Sequence, residues 1–133
     1  AGSMLGSGAI IVMDETTNMV EVAHRISRFY YSESCGQCTP CREGTGWMYR
    51  IIDRILKGNG NLEDIKTLES IPGMIAGSTI CALGDAAAMP VESFLLHYKS
   101  EFLKYIKYVS EQEEEILRAS YENNKNEFPL FKK

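Results

Sequence analysis

Positive charge is in short supply in this chain. Its 14 lysines and arginines face 18 aspartates and glutamates, for a net charge of −4. That balance argues against a surface for nucleic acid or for an anionic membrane. No apolar run approaches the ~20 residues of a membrane span, so direct membrane insertion is not expected. Histidine is scarce, with only two residues. His24 sits beside one apolar helical face and His97 within another helical stretch, so both read as rim or packing residues and not as metal ligands. There is no internal repeat and no long low-complexity linker. No secretory signal is expected ahead of the cysteines, which fits thiols kept reduced in a cytoplasmic setting. At 133 residues and 44% apolar composition, the chain is expected to form one domain, or one domain with a flanking piece. It is long enough for a single core and small enough for a bound metal group to add to its stability.

Cysteine is what the chain does have, and its placement is uneven. Three of the four cysteines fall in Ser34-Cys35-Gly36-Gln37-Cys38-Thr39-Pro40-Cys41-Arg42-Glu43-Gly44, at a C-x2-C-x2-C spacing. The fourth is Cys81, in Gly77-Ser78-Thr79-Ile80-Cys81-Ala82-Leu83-Gly84-Asp85. Three thiolates this close can wrap one corner of a compact cluster if the backbone loops. Gly36 permits such a loop, and Pro40 removes a donor and biases Thr39 away from helix. Four-cysteine ligation of an iron–sulfur cube matches this pattern. Disulfides fit poorly, because cyclic pairs within 35–41 are awkward. Four inert buried cysteines would not be clustered this way. A four-cysteine zinc site is the serious rival, since C-x2-C is also a zinc knuckle. A triplet with one distant cysteine suits a cube better than two separated pairs would.

The same residues carry a family resemblance. Glu33-Ser34-Cys35-Gly36-Gln37-Cys38-Thr39-Pro40-Cys41-Arg42-Glu43-Gly44 resembles the cluster-binding signature of the NADH-binding flavoprotein subunit of respiratory complex I. Thr79-Ile80-Cys81-Ala82-Leu83-Gly84-Asp85-Ala86-Ala87-Ala88 resembles that family's second signature, which carries the fourth ligand. The resemblance spans roughly residues 8–105, and related subunits occur in NAD-linked hydrogenases and formate dehydrogenases. It implies that Cys35, Cys38, Cys41 and Cys81 hold one [4Fe-4S] cluster that takes electrons from FMN after NADH has reduced it. It also implies docking against a thioredoxin-like [2Fe-2S] subunit and a larger iron–sulfur subunit, in the cytoplasmic peripheral arm of a membrane complex. The family's flavin and nucleotide signatures are absent here. The chain therefore looks like the C-terminal part of such a subunit, with FMN and NAD(H) expected only in the full-length protein, on its N-terminal part. This part alone is not expected to oxidise NADH. Leu83 and Gly84 are expected to form a loop facing the flavin.

The fold expected is mainly α, a four-helix-bundle-like iron–sulfur domain with a short N-terminal strand and an extra C-terminal helix. Residues 1–15 read as a strand and linker from a preceding domain, 16–108 as the [4Fe-4S]-binding helical domain, and 109–133 as a C-terminal helical extension and tail. Gly6-Ser7-Gly8 is no dinucleotide fingerprint, because position 11 is Ile and strand-like sequence follows. Ala9-Ile10-Ile11-Val12-Met13 reads as the strand. Asp14–Asn18 offers helix caps, followed by Met19, Val22, Ala23, Ile26, Phe29 and Tyr30 on one face. Arg42 to Lys57 reads as a second helix with Trp47, Ile51, Ile55 and Leu56 in its stripe and Met48 and Ile52 alongside. Gly44 and Gly46 imply close approach, either by a cluster or flavin domain or by another helix. Leu62 to Ile71 reads as a third helix stopped by Pro72-Gly73. Pro90 fits the first turn of a fourth helix, Val91 to about Lys107. A [4Fe-4S] core with four thiolates carries about −2 by formal counting, so Arg42 is expected to compensate that charge, and Arg50 is a second candidate.

Overall fold

The structure, a computed structural model, describes residues 6–106. The expected helix and tail over 109–133 lie outside these residues. Four helices follow one another: α1 (Met19–Glu33), α2 (Thr39–Leu56), α3 (Leu62–Ile75) and α4 (Leu83–Leu103). α1 packs on α2 and α4, α2 also packs on α3 and α4, and α3 packs on α4. The start of α1 meets the end of α4. Asn18 Nδ2 donates to Tyr105 Oη at 2.5 Å, and the Met19 amide donates to Glu101 Oε2 at 3.3 Å. The links α1–α2 and α3–α4, which carry Cys35, Cys38 and Cys81, therefore lie at one end of the bundle, with Cys41 in the first turn of α2.

Local chemistry starts α1 and α3. Asn18 Oδ1 accepts from the amides of Val20 and Glu21, the usual work of an N-cap. Asn61 and Asp64 form a reciprocal capping box. Asp64 is buried and paired through both oxygens with Arg54 of α2, which locks the α2–α3 turn. The core between the helices contains Val20, Met48, Ile52, Ile55, Ile65, Leu68, Val91, Leu95 and Phe102.

Several sequence expectations are corrected here. Ala9–Met13 forms no strand, and there is no strand among the described residues. Ile10, Ile11 and Val12 stand exposed, with no second strand to accept their backbone donors. Trp47 is 47% exposed. The buried line of α2 is Met48, Ile51, Ile52 and Ile55, so the stripe is rotated and Trp47 falls at its edge. Phe29 is likewise exposed, because α1 buries Met19, Val20, Ala23 and Ser27. Pro72 does not stop α3, which runs on to Ile75. Pro90 lies inside α4, which begins at Leu83 and ends at Leu103. In both cases burial of the flanking apolar residues outweighs a missing backbone bond. Ile71 and Ile75 are buried around Pro72, and Ala87, Ala88 and Val91 around Pro90.

Gly44 sets the spacing of α2 and α3. A Cβ there would lie 2.5 Å from Ile75 Cδ1 and 2.7 Å from its Cγ1. Gly44→Ala gains about 1 kcal/mol of helix propensity but overpacks the contact at a cost of about 1–3 kcal/mol. The expected result in denaturant unfolding is a net loss of about 1 kcal/mol, partly recovered when Ile75→Val is added. Glu92, on α4, is 3% exposed, and its Oε2 has no hydrogen-bond partner among the described residues. Burial pushes its carboxyl above the usual range, because the charged form loses water. A carboxyl raised in the folded state favours folding below its unfolded value and costs stability as pH rises through its folded value. Glu92→Gln is therefore expected to raise the melting temperature at about pH 8 and to change it little at about pH 4. Equal effects at both would show that the carboxyl is not titrating in the fold.

Candidate metal centre

The first limb of the site is the turn from α1 into α2. Ser34 ends α1 in an extended conformation. Gly36 follows at φ +79°, a left-handed geometry that suits glycine. Cys38 is the N-cap of α2 and Pro40 falls in its first turn. Cys41 is thus helical and buried, at 7% exposure, where looping backbone was expected throughout the triplet. A proline at this position costs nothing, because the first amides of a helix have no internal partner. Thr45 Oγ1 donates to the Cys41 carbonyl at 2.8 Å. Arg42 folds back over the turn. Its Nη1 donates to the Gly36 carbonyl at 2.8 Å, and its Nε lies 3.0 Å from Glu43 Oε1.

The second limb is the link between α3 and α4. Asp85 Oδ1 reaches back to accept from the Gly77 amide at 2.8 Å, closing the link. Thr79 Oγ1 donates to the Cys81 carbonyl at 2.9 Å. Beneath it lies Gly84, where a Cβ would come within 2.5 Å of Thr79 Oγ1 and 3.0 Å of Thr79 Cβ. The absence of a side chain at Gly84 therefore seats the Cys81 link directly on α4. The Ile80 amide donates to Cys38 Sγ at 3.4 Å, joining the two limbs.

Together the limbs enclose a cavity of about 130 Å³, lined by all four cysteines with Glu33, Ser34, Thr79 and Leu83. Cys35 and Cys81 are exposed, Cys38 is half-buried and Cys41 is buried. The cysteines border this space without closing on one point. No group of three His, Cys, Asp or Glu among the described residues is set to hold a single metal ion. The helix ends supply favourable electrostatics. α2 and α4 begin at this cavity, and neither has a side-chain cap, so their positive dipole ends lie beside it.

Other candidates fall elsewhere. His24 Nε2 lies 3.0 Å from Asp53 Oδ1 on the α1–α2 surface. Lys57 first, and His24 with it, hold the Asp53 carboxyl below the usual range. His97 is exposed and meets Tyr98 edge-on. Arg50 packs over the Tyr31 ring at 5.8 Å and does not line the cavity. A Cβ on Gly46 would meet Tyr31 at 2.9 Å, so Gly44 and Gly46 both serve packing within this chain. Three lining residues escaped the sequence reading, Glu33 and the two hydroxyl residues Ser34 and Thr79. Ser34 Oγ is 3.3 Å from Cys41 Sγ. The only signal for either was a hydroxyl one or two positions before a cysteine.

Residues 21–105 match the family described as the NADH-ubiquinone oxidoreductase-F iron-sulfur binding region. The chain is 53% identical over 107 residues to the F subunit of the NADH-quinone oxidoreductase of Rickettsia felis, covering 80% of this chain and 25% of the relative. It is 52% identical over 101 residues to the corresponding F subunit of Rickettsia bellii, covering 76% of this chain and 24% of that one. It thus spans about a quarter of the length of these curated relatives. Among solved structures, a chain of an NAD+-reducing [NiFe]-hydrogenase in the air-oxidised state superimposes with a TM-score of 0.69 at 26% identity, over 75% of this chain and 18% of that chain.

The Gly84–Thr79 contact carries its own test. Gly84→Ala is expected to lift the link off α4 and to speed amide exchange across residues 77–81, with α1 and α2 unaffected. Unchanged protection there would show that the link is seated by other contacts.

Proposed function

Since the chain belongs to the family of the NADH-ubiquinone oxidoreductase-F iron-sulfur binding region, we propose that it relays electrons through one [4Fe-4S] cluster held by Cys35, Cys38, Cys41 and Cys81. The observation that carries this reading is that every cysteine of the chain borders one cavity. The donor set suits the group: four cysteine sulfurs, spread around a space instead of closed on one ion. When bound, such a cluster takes up and gives back single electrons. The residues around it would hold its charge and keep water from it. The uncapped starts of α2 and α4 would favour an anionic group there through their dipole ends. Arg42, pinned to the Gly36 carbonyl, would offset the cluster's negative charge from the outer side of the turn. Leu83 lines the cavity and would exclude water from it. With Gly84, it would form part of the wall facing the flavin in the intact subunit.

In the longer protein, the N-terminal part of the same subunit would bind FMN and NADH and supply the electrons. A thioredoxin-like [2Fe-2S] subunit and a large iron–sulfur subunit would stand nearby as partners in a cytoplasmic peripheral arm. No described helix is long and apolar enough to cross a membrane, which fits a peripheral place.

Metal analysis tests the reading. Anaerobically purified protein is expected to be brown, with about four irons per chain. Cys81→Ala should lose most of that iron. Chelating the iron should lower the melting temperature markedly, since one group would tie two distant links and its binding free energy would add to folding. Stoichiometric zinc without iron, or a melting curve indifferent to iron removal, would overturn the proposal.

A further inference from the structure

We infer that Ser34 is a positioning residue that raises the reduction potential of the site, by donating its hydroxyl proton to the sulfur of Cys41. The inference rests on the cluster reading above. Cys41 is the one member of the four that is buried. Cys35 and Cys81 are exposed and can take hydrogen bonds from water, whereas the sulfur of Cys41 has lost that solvation. Ser34 Oγ lies 3.3 Å from it.

The direction of this bond follows from its surroundings. A hydroxyl has one proton to give and two lone pairs to receive. The Gly36 amide donates to Ser34 Oγ at 3.4 Å and so takes one of those lone pairs. A metal-bound thiolate carries no proton and can only accept. The hydrogen between Ser34 and Cys41 must therefore come from Ser34. Backbone geometry keeps it in place: Ser34 is the C-cap of α1, held by its amide bond to the Tyr30 carbonyl. Cys41 is fixed in the first turn of α2 by the bond from Arg42 N to the Cys38 carbonyl and by Thr45 on its own carbonyl.

A donor aimed at a ligand sulfur stabilises negative charge there. Reduction adds one electron and no proton, so the sulfurs become more negative and the bond strengthens. Hydrogen bonds to sulfur are among the factors that set cluster potentials, and burial makes this one more effective than a solvated counterpart. Ser34 keeps its proton in both states.

The test uses this chain loaded anaerobically with iron and sulfide. Iron content and an electrochemical titration, followed by paramagnetic resonance, are compared for the parent, Ser34→Ala and Ser34→Thr. Ser34→Ala is expected to keep its iron and to be reduced about tenfold less favourably, a fall of about 59 mV for a one-electron couple. Ser34→Thr keeps a hydroxyl and is expected to return to the parent potential. An iron-loaded Ser34→Ala with an unchanged or higher potential would overturn the inference. A Ser34→Ala that cannot retain iron would overturn it as well, because the hydroxyl would then serve assembly and not potential. A parent chain that takes up no iron would instead fail the cluster reading itself, so the two failures are distinct.

Discussion

Two helices of this bundle begin without a side-chain cap, and both begin at the cysteines. The other two are capped, by Asn18 and by the Asn61–Asp64 box. A missing cap forgoes about 1 kcal/mol and leaves amides unpaired. At α2 and α4 the positive dipole ends of two helices lie beside the cavity that the cysteines border. The bundle's antiparallel order makes this possible. It brings the α1–α2 and α3–α4 links to the same end, while the α2–α3 turn, locked by Arg54 and Asp64, closes the other.

Small residues turn that arrangement into a defined cavity. Gly44 lets Ile75 of α3 close against α2, and Gly84 lets Thr79 rest on the first turn of α4. Each places one limb at a fixed distance from the helix beneath it. The Ile80 amide to Cys38 Sγ, at 3.4 Å, then connects limbs that lie far apart in sequence. The site is thus shaped by backbone contact and hydroxyl chemistry as much as by its cysteines.

The parts legible in the sequence were those with a short-range signature. The run Asp14–Asn18 marked a helix start, and the four cysteines marked the cavity that they share. What stayed hidden depends on partners far along the chain. Pro72 and Pro90 are local stop signals, yet buried neighbours carry both helices through them. Trp47 fitted a helical stripe, but the neighbouring helices cover the face centred on Met48, Ile52 and Ile55. Ile10–Val12 has strand composition, yet a strand requires a second one. Ser34 and Thr79 were invisible because a hydroxyl beside a cysteine has no periodicity to betray it.

The bare run at the N-terminal side has a colloidal consequence. Ile10, Ile11 and Val12 are 85%, 78% and 91% exposed in succession. Short β-branched runs of this kind recruit further extended chains when they meet at high concentration. Asp14 and Glu15 follow on the C-terminal side and act as gatekeepers, since stacking copies would crowd their carboxylates. Gly6 and Gly8, on the other side, carry no charge. Between Gly6 and Glu15, the charge that keeps copies of this run apart therefore lies on its C-terminal flank.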